Sequence, residues 1–315
     1  MTVQEVVICV AGPTGCGKTA LGVALAKRFN GEVVSADSMQ IYRGMSIGSA
    51  APTPEEMDGV RHHMIAVAEP GETWSVARYV ENAVPVIDDI LARGKRPFLV
   101  GGTGLWMEAV FRQGGFAPGQ SGGTIRRELE AALARDGMEP LLRELRAVDP
   151  DSAARLHPSD TKRVLRALEV YRETGKTISE HNALTKTFPP RYRALWLGLR
   201  YRDRAEMREA LDRRVDAMMN AGLLAEVRAL ASKVPRDATA LQAIGYKELL
   251  PALDGQKSLP DCVEEIKLRT RQYAKRQLTW FRRNPEMFWI ERSAGEDFSE
   301  CVRVSTDYLL NDGVC

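Results

Sequence analysis

Short apolar runs alternate along this chain with longer stretches of helical periodicity. Val6-Val7-Ile8-Cys9-Val10 is apolar throughout and reads as a strand buried on both faces. Ala20–Phe29 follows, with Leu21, Leu25 and Phe29 at helical spacing. Glu32-Val33-Val34-Ser35-Ala36 is a second strand, ending at Asp37. Ser75–Arg93 sets Val76, Val80, Ala83, Ile87 and Ile90 on one helical stripe, with Thr73 or Ser75 as cap and a kink expected at Pro85. After the turn Lys95-Arg96-Pro97 comes a third buried strand, Phe98-Leu99-Val100, and Ala194–Leu199 reads as another strand returning to the same sheet. Strands alternating with helices predict an α/β fold around a parallel sheet.

Between these halves the pattern changes. Gln113–Gly123 is Gly-rich and polar, as a hinge would be. Three charged helices follow, marked by Ile125, Leu129, Ala132 and Leu133, by Leu141, Leu142 and Leu145, and by Val164, Leu165, Leu168 and Tyr171. Asp160 is the expected N-cap of the third, and Thr174-Gly175 its end. The expected organisation is a catalytic core of 1–121 and 194–315 with an all-helical insertion of 122–193. Beyond it, Arg204–Ala221, Leu223–Ser232, Leu241–Leu253 and a basic stretch around Ile266–Arg283 read as additional C-terminal helices, with a short one near Glu300–Leu310.

The first strand–helix junction carries chemistry. Gly12-Pro13-Thr14-Gly15-Cys16-Gly17-Lys18-Thr19 fits G-x-x-x-x-G-K-[ST], the phosphate-binding P-loop, in the strand–loop–helix context it requires. Its glycines turn successive N–H groups toward one point, and the helix start adds partial positive charge. Lys18 supplies a full charge and Thr19 a hydroxyl for Mg²⁺. The core is therefore expected to be P-loop NTPase-like. Ligands of open α/β sheets lie outside the carboxyl ends of the strands, so Asp37 is expected to face the loop as general base, Mg²⁺ partner or simple N-cap. The third strand ends in Gly101-Gly102-Thr103-Gly104, where many P-loop enzymes carry a metal-directed Asp. Val86-Ile87-Asp88-Asp89 imitates such an acidic strand end, but the helical stripe around it is stronger. A motor or switch reading is weakened accordingly.

Composition narrows the class. The chain is 44% hydrophobic and 27% charged, as soluble globular proteins are. No apolar run is long enough for a membrane span, and Met1–Glu5 is polar, unlike a signal peptide. The five cysteines (Cys9, Cys16, Cys262, Cys301, Cys315) show no C-x-x-C pair, which argues against zinc or disulfides and fits a reducing cytoplasm. Cys16 reads as a space-filler within the loop. Net charge is only +2, yet Ile266–Arg283 holds seven basic residues and no acidic one. Lys267, Arg271 and Lys275 fall on one helical stripe, with Tyr273, Trp280 and Phe281 interleaved. Such a stripe suits a nucleic-acid backbone or a solvated helix face.

Six motifs in order now resemble the bacterial type of tRNA dimethylallyltransferase, also called tRNA isopentenyltransferase. They are GPTGCGKT from Gly12, SADSMQIYRGMSIGSA from Ser35, GGTGLWMEA from Gly101, HPSDTKRVLRALEV from His157, QAIGYKEL from Gln242 and TRQYAKRQLTWFR from Thr270. The resemblance implies transfer of the dimethylallyl group of dimethylallyl diphosphate to N6 of adenosine 37 in the tRNA anticodon stem-loop, with Mg²⁺ as cofactor and diphosphate released. It implies that the P-loop serves a leaving group, that Asp37 is the general base, and that Thr103 lies beside the reacting centre. Lys18 and Arg214 would contact the diphosphate, and Thr19, with Asp37, the metal. The tRNA contacts implied are Asp37, Ser38, Met39 and Gln40; Thr103; Arg126; Lys162, Arg163, Val164, Leu165 and Arg166; Gln242, Ala243, Ile244, Gly245, Tyr246 and Lys247; and Lys275, Arg276, Gln277, Thr279, Trp280 and Arg282. A cytoplasmic monomer is expected. Ala51, Ala210 and Ser159 depart from the family pattern, as does the loop from Phe116 to Gly123. A P-loop small-molecule or nucleotide kinase is the alternative, and a tRNA-binding protein without catalysis a third reading.

Overall fold

The structure is a computed structural model that describes residues 4–112, 123–185 and 187–314. The stretch expected as a hinge, apart from Gly123, and Cys315 lie outside the described residues. The chain divides into two compact units, Met1–Phe111 with Tyr192–Cys315, and Arg112–Arg191.

The strands are β1 (Val6–Ala11), β2 (Gly31–Ala36), β3 (His62–His63), β4 (Arg96–Gly101), β5 (Arg193–Tyr201) and β6 (Met287–Arg292). The longer helices are α1 (Lys18–Arg28), α2 (Val76–Ala92), α3 (Gly104–Phe111), α4 (Thr124–Asp136), α5 (Met138–Val148), α6 (Pro150–Arg155), α7 (Thr161–Thr174), α8 (Ile178–Thr185), α9 (Arg204–Asn220), α10 (Leu223–Ala231), α11 (Leu259–Phe281) and α12 (Phe298–Asn311).

In the first unit all six strands form one parallel sheet in the order β3-β2-β4-β1-β5-β6. Its central strands read as continuous apolar runs because both faces are covered. Val7, Cys9 and Ala11 of β1 enter one core with Leu99, Tyr79 and Ile87, whereas Ile8 and Val10 enter the other with Leu21, Leu25 and Leu309. That alternation is the two-residue period of a strand. Each buried Leu or Ile contributes about 1.5–3 kcal/mol against exposure, so α1 and α12 are clamped to one face and α2 to the other. Tyr79 ties α2 to β2 by donating to the Ser35 carbonyl (2.9 Å) and stacking on Trp106 of α3 (4.3 Å). Helix α2 runs on through Pro85, and Val86–Asp89 lies within it, so the acidic strand-end imitation is helical.

Glu32 on β2 is 2% exposed and collects Arg93 (2.5 and 2.8 Å), Lys95 (2.8 Å) and His63 (2.8 Å). Hydrogen bonds from Arg93, then from Lys95 and His63, hold its carboxyl well below the ordinary 4.5, against the opposing effect of burial. A carboxyl depressed on folding contributes stability that is complete above its unfolded pKa and fades as pH falls toward the folded one. Glu32→Gln is therefore expected to be less stable than wild type at neutral pH, with the gap closing below about pH 4.5. Urea titrations at several pH values measure it; a gap that stays constant down to pH 3 would contradict the assignment.

The second unit is helical, with Leu129, Leu141, Leu142, Leu145, Val164, Leu165 and Leu168 in its core. Asp149 caps α6 through Ser152 N (3.0 Å) and also accepts from the Ser179 hydroxyl (2.7 Å). Asp160 occupies the N-cap position of α7, but its side chain makes no capping bond; its carboxylate lies 3.5 Å from Arg163.

Three expectations change. Leu241–Leu253 is not a continuous helix: a 3₁₀ turn at Thr239–Gln242 is followed by turns and one helical turn at Leu250–Leu253. Gly245 has φ +94°, and its N–H donates to the Glu248 carboxylate (2.8 Å), which replaces helix continuation. The stripe on α11 is only partly open to a ligand, because Lys267 pairs with Asp216 (2.8 Å) and Arg271 with Asp212 (2.6 Å). Finally, strands β3 and β6, absent from the reading above, extend the sheet beside β2 and β5.

Candidate active site

The P-loop leaves β1 at Ala11 and ends where α1 begins at Lys18. Gly12, Gly15 and Gly17 have φ of +147°, +76° and +98°, a path that side chains with a Cβ rarely follow. Cys16 is fully buried, as a filler would be. Lys18 folds back and donates to the Pro13 carbonyl (2.7 Å). From outside the loop, Arg292 donates to the Cys16 carbonyl (3.3 Å), its guanidinium held between Tyr201 and Phe298.

Gln277 of α11 locks the loop to the sheet. Its carbonyl accepts from Thr14 N (2.8 Å) and its amide donates to the Gly102 carbonyl (2.9 Å). Gly102 is required there, since a Cβ would stand 2.2 Å from the Gln277 nitrogen. The side chain is 5% exposed, so Gln277→Ala would leave the part-buried Thr14 N–H and the buried Gly102 carbonyl without their partner. The expected cost is about 2–5 kcal/mol, read as a lower urea midpoint; an unchanged midpoint would contradict it.

Two cavities meet at this point. One, of about 280 Å³, is lined by Thr14, Gly15, Gly17, Lys18 and Thr19 together with Ser35, Asp37, Gln40, Arg214, Tyr273 and Gln277. The other, of about 320 Å³, shares Thr14, Asp37, Ser49, Arg214 and Tyr273 and continues past Ser38, Met39, Met218, Gln242, Ala243, Ile244, Gly245, Lys247 and Arg276. The Asp37 carboxylate stands where they join. It accepts from Met39 N (2.8 Å) and Gln40 N (3.4 Å), which fixes it at the end of β2. No helix begins there for Asp37 to cap; its carboxylate closes the turn after β2 while the residue lines both cavities. Thr103 is placed beside it: its hydroxyl oxygen accepts from Ser38 N (3.2 Å) and its own N–H donates to the Ala36 carbonyl (3.2 Å).

The charges suit a polyanion. Burial lowers the pKa of Lys18, with Arg214 acting the same way and Asp37 opposing. Burial likewise lowers that of Arg214, again opposed by Asp37. Two enclosed cations beside one carboxylate are relieved when an anion enters. The loop over this site is held by Glu226 of α10, whose carboxylate accepts from Ile47 N and Gly48 N (both 2.9 Å), the Ser46 hydroxyl (3.2 Å) and the Tyr246 hydroxyl (2.5 Å).

Several implied tRNA contacts are corrected by burial. Tyr246 and Val164 are 0% and Leu165 2% exposed, so these side chains support structure and cannot meet a ligand from solvent. Trp280 donates to Glu108 (2.8 Å). Lys275, Thr279 and Arg282 line a separate groove rather than either cavity. Arg126, Lys162, Arg163 and Arg166 belong to the second unit, where Arg126 pairs with Glu130 (2.8 Å) and Arg166 with Glu169 (3.0 Å). Tyr273, Glu226 and Arg292 were not singled out as site residues. Tyr273 alone carried a signal, lying inside the TRQYAKRQ stretch.

A family model described as IPP transferase matches residues 40–284, and one described as isopentenyl transferase matches residues 5–68. The chain belongs to the tRNA dimethylallyltransferase family. The relative of that name from Geobacillus thermodenitrificans is 45% identical over 305 residues, 97% of this chain and 96% of its own. That from Bacillus subtilis is 44% identical over 296 residues, 94% and 93% of the two chains. Among solved structures, the full-length tRNA isopentenylpyrophosphate transferase of Bacillus halodurans superposes with a TM-score of 0.73 at 40% identity, over 98% of this chain and 96% of that one. A eukaryotic dimethylallyltransferase acting on tRNA superposes with a TM-score of 0.83 at 32% identity, over 98% and 80%. The P-loop NTPase-like sheet of this family member is thus shared with those enzymes, and the kinase reading is not favoured. No helix among the described residues is long and apolar enough to cross a membrane.

Proposed function

We propose that the protein transfers the dimethylallyl group of dimethylallyl diphosphate to N6 of adenosine 37 in the tRNA anticodon stem-loop and releases diphosphate. The observation that carries this is the position of Asp37 at the junction of a phosphate-binding cavity and a second cavity. In this reading diphosphate lies on the P-loop amides, Lys18 and Arg214, which neutralise the charge that grows as the allylic C–O bond breaks. The adenine enters through the second cavity, unstacked from its loop as base-modifying enzymes require. Its N6 lone pair is delocalised into the ring and is a poor nucleophile. Asp37 takes the N6 proton as the new C–N bond forms, and the Met39 and Gln40 N–H groups hold that carboxylate in place, with Thr103 bonded to the neighbouring Ser38 N–H.

Mg²⁺ fits the residues present. The Thr19 hydroxyl and the Asp37 carboxylate line the same cavity, and among the described residues no group of three or more His, Cys, Asp or Glu could hold a metal by itself. That is the donor set of an ion carried mainly by substrate phosphate oxygens. When bound, it would add positive charge at the leaving group. The four described cysteines are free and buried, in keeping with a cytoplasmic protein, and the reading needs one copy of the chain.

Anticodon stem-loops test it. After incubation with the donor and Mg²⁺, digestion is expected to yield one adenosine heavier by a five-carbon unit. The same stem-loop with guanosine at position 37 is expected to gain nothing. Modification of the guanosine-bearing loop would contradict the assigned position.

A further inference from the structure

The charged residues of α9 and α11 form a ladder. Asp216 pairs with Lys267 (2.8 Å), and one turn on, Asp212 pairs with Arg271 (2.6 Å). Each rung steps four residues back along α9 and four forward along α11, so the helices run antiparallel here. The same step brings Arg208 level with Lys275, then Arg204 level with Thr279, with Arg282 just beyond. The seam therefore changes from acid on base to base on base.

A groove of about 500 Å³ opens at those last rungs, lined by Arg204, Arg208, Asp212, Arg271, Lys275 and Arg282. Asp212 is its single carboxylate and is already engaged by Arg271. Arg204, Arg208, Lys275 and Arg282 form no ion pair among the described residues. Unbalanced like charges weaken a helix pair, so packing alone gives no reason to end the acidic rungs.

Dimensions select the ligand. From Arg271 to Arg282 the helix rises about 16 Å, and from Arg204 to Asp212 about 12 Å. A lone small anion would meet one or two of these cations. A nucleic-acid strand carries a phosphate at every nucleotide and can engage all four. Beside Lys275 on the same helix, Arg276 lines the second cavity, so groove and cavity are served by one stretch of α11.

We propose that the α9–α11 groove holds the sugar–phosphate backbone of the tRNA substrate, with Arg204 and Arg208 as the wall opposite Lys275 and Arg282. The proposal rests on the transfer reading above and adds two residues that the family resemblance leaves unassigned.

Arg208→Asp separates binding from stability, because it turns the third rung into an Asp–Lys275 pair. It is expected to melt no lower than wild type, yet to bind tRNA at least about tenfold more weakly. Its KM for tRNA should rise with it, and its KM for dimethylallyl diphosphate should stay. Arg208→Gln removes the charge without adding one and covers the case in which the aspartate disturbs folding; it is expected to weaken binding in the same direction. Arg204→Ser is expected to flatten the dependence of log affinity on log salt by about one unit of slope. Wild-type affinity and slope in all three variants would overturn the groove assignment. Failure of the wild-type protein itself to bind tRNA would overturn the transfer reading, and the groove with it.

Discussion

Asp37→Asn is expected to slow dimethylallyl transfer by about 10²–10⁴-fold, the usual contribution of a positioned general base. The substitution preserves shape. An asparagine oxygen can still accept from Met39 N and Gln40 N, the two bonds that hold the end of β2. What disappears is the group able to take the N6 proton. Single-turnover transfer with saturating tRNA reads the chemical step, and filter binding reads affinity, which should stay within about threefold of wild type because the change leaves a neutral hydrogen-bonding isostere. Equal losses in rate and affinity would mean that Asp37 serves tRNA binding rather than proton transfer.

Arg214→Ala should lower the rate by about 10²–10³-fold, comparable to removing one preorganised group that stabilises developing charge. Arg214 lies on α9, lines both cavities, and its pKa is lowered by burial. A cation held away from water is costly unless an anion meets it. Its interaction strengthens as the leaving group gains charge, so the loss should fall mainly on kcat. Arg214→Lys keeps the charge without the planar fork and should recover only part of the rate. A rise in the donor KM with kcat unchanged would show that Arg214 binds substrate and transition state equally.

The sheet was legible because its central strands are covered on both faces. Val6–Val10 and Phe98–Val100 are apolar at every position and buried in the sheet. β6 was not read, because Met287–Ile290, although set off by Asn284-Pro285, is an apolar run of four residues, too short for periodicity to tell strand from helix. Leu241–Leu253 misled in the opposite direction. Its apolar spacing suits a helix, but the left-handed Gly245 and the Glu248 carboxylate that accepts its N–H depend on a local bond that periodicity does not report.

Within the site, residues on consecutive positions of one loop were readable and residues gathered by tertiary contact were not. The P-loop and Asp37 announce themselves through a motif and a strand end. Gln277 appeared only as one member of a basic stretch, yet it joins Thr14 to Gly102 across 263 positions of chain from the former. Glu226 gave no signal at all, since a lone Glu on a helix ordinarily faces water; its role depends on four donors arriving from two distant segments. The stripe Lys267, Arg271 and Lys275 looked uniform, and only the partners on α9 divide it into two paired residues and one that is open.

The most direct test of alkyl transfer at this P-loop is a stoichiometric single turnover. Enzyme, Mg²⁺, dimethylallyl diphosphate and unmodified tRNA are mixed, and both diphosphate and modified nucleoside are counted. One diphosphate for each five-carbon adduct on adenosine is expected, with no phosphate transferred when ATP replaces the donor. Phosphorylated product from ATP, or diphosphate released without adduct, would contradict the account.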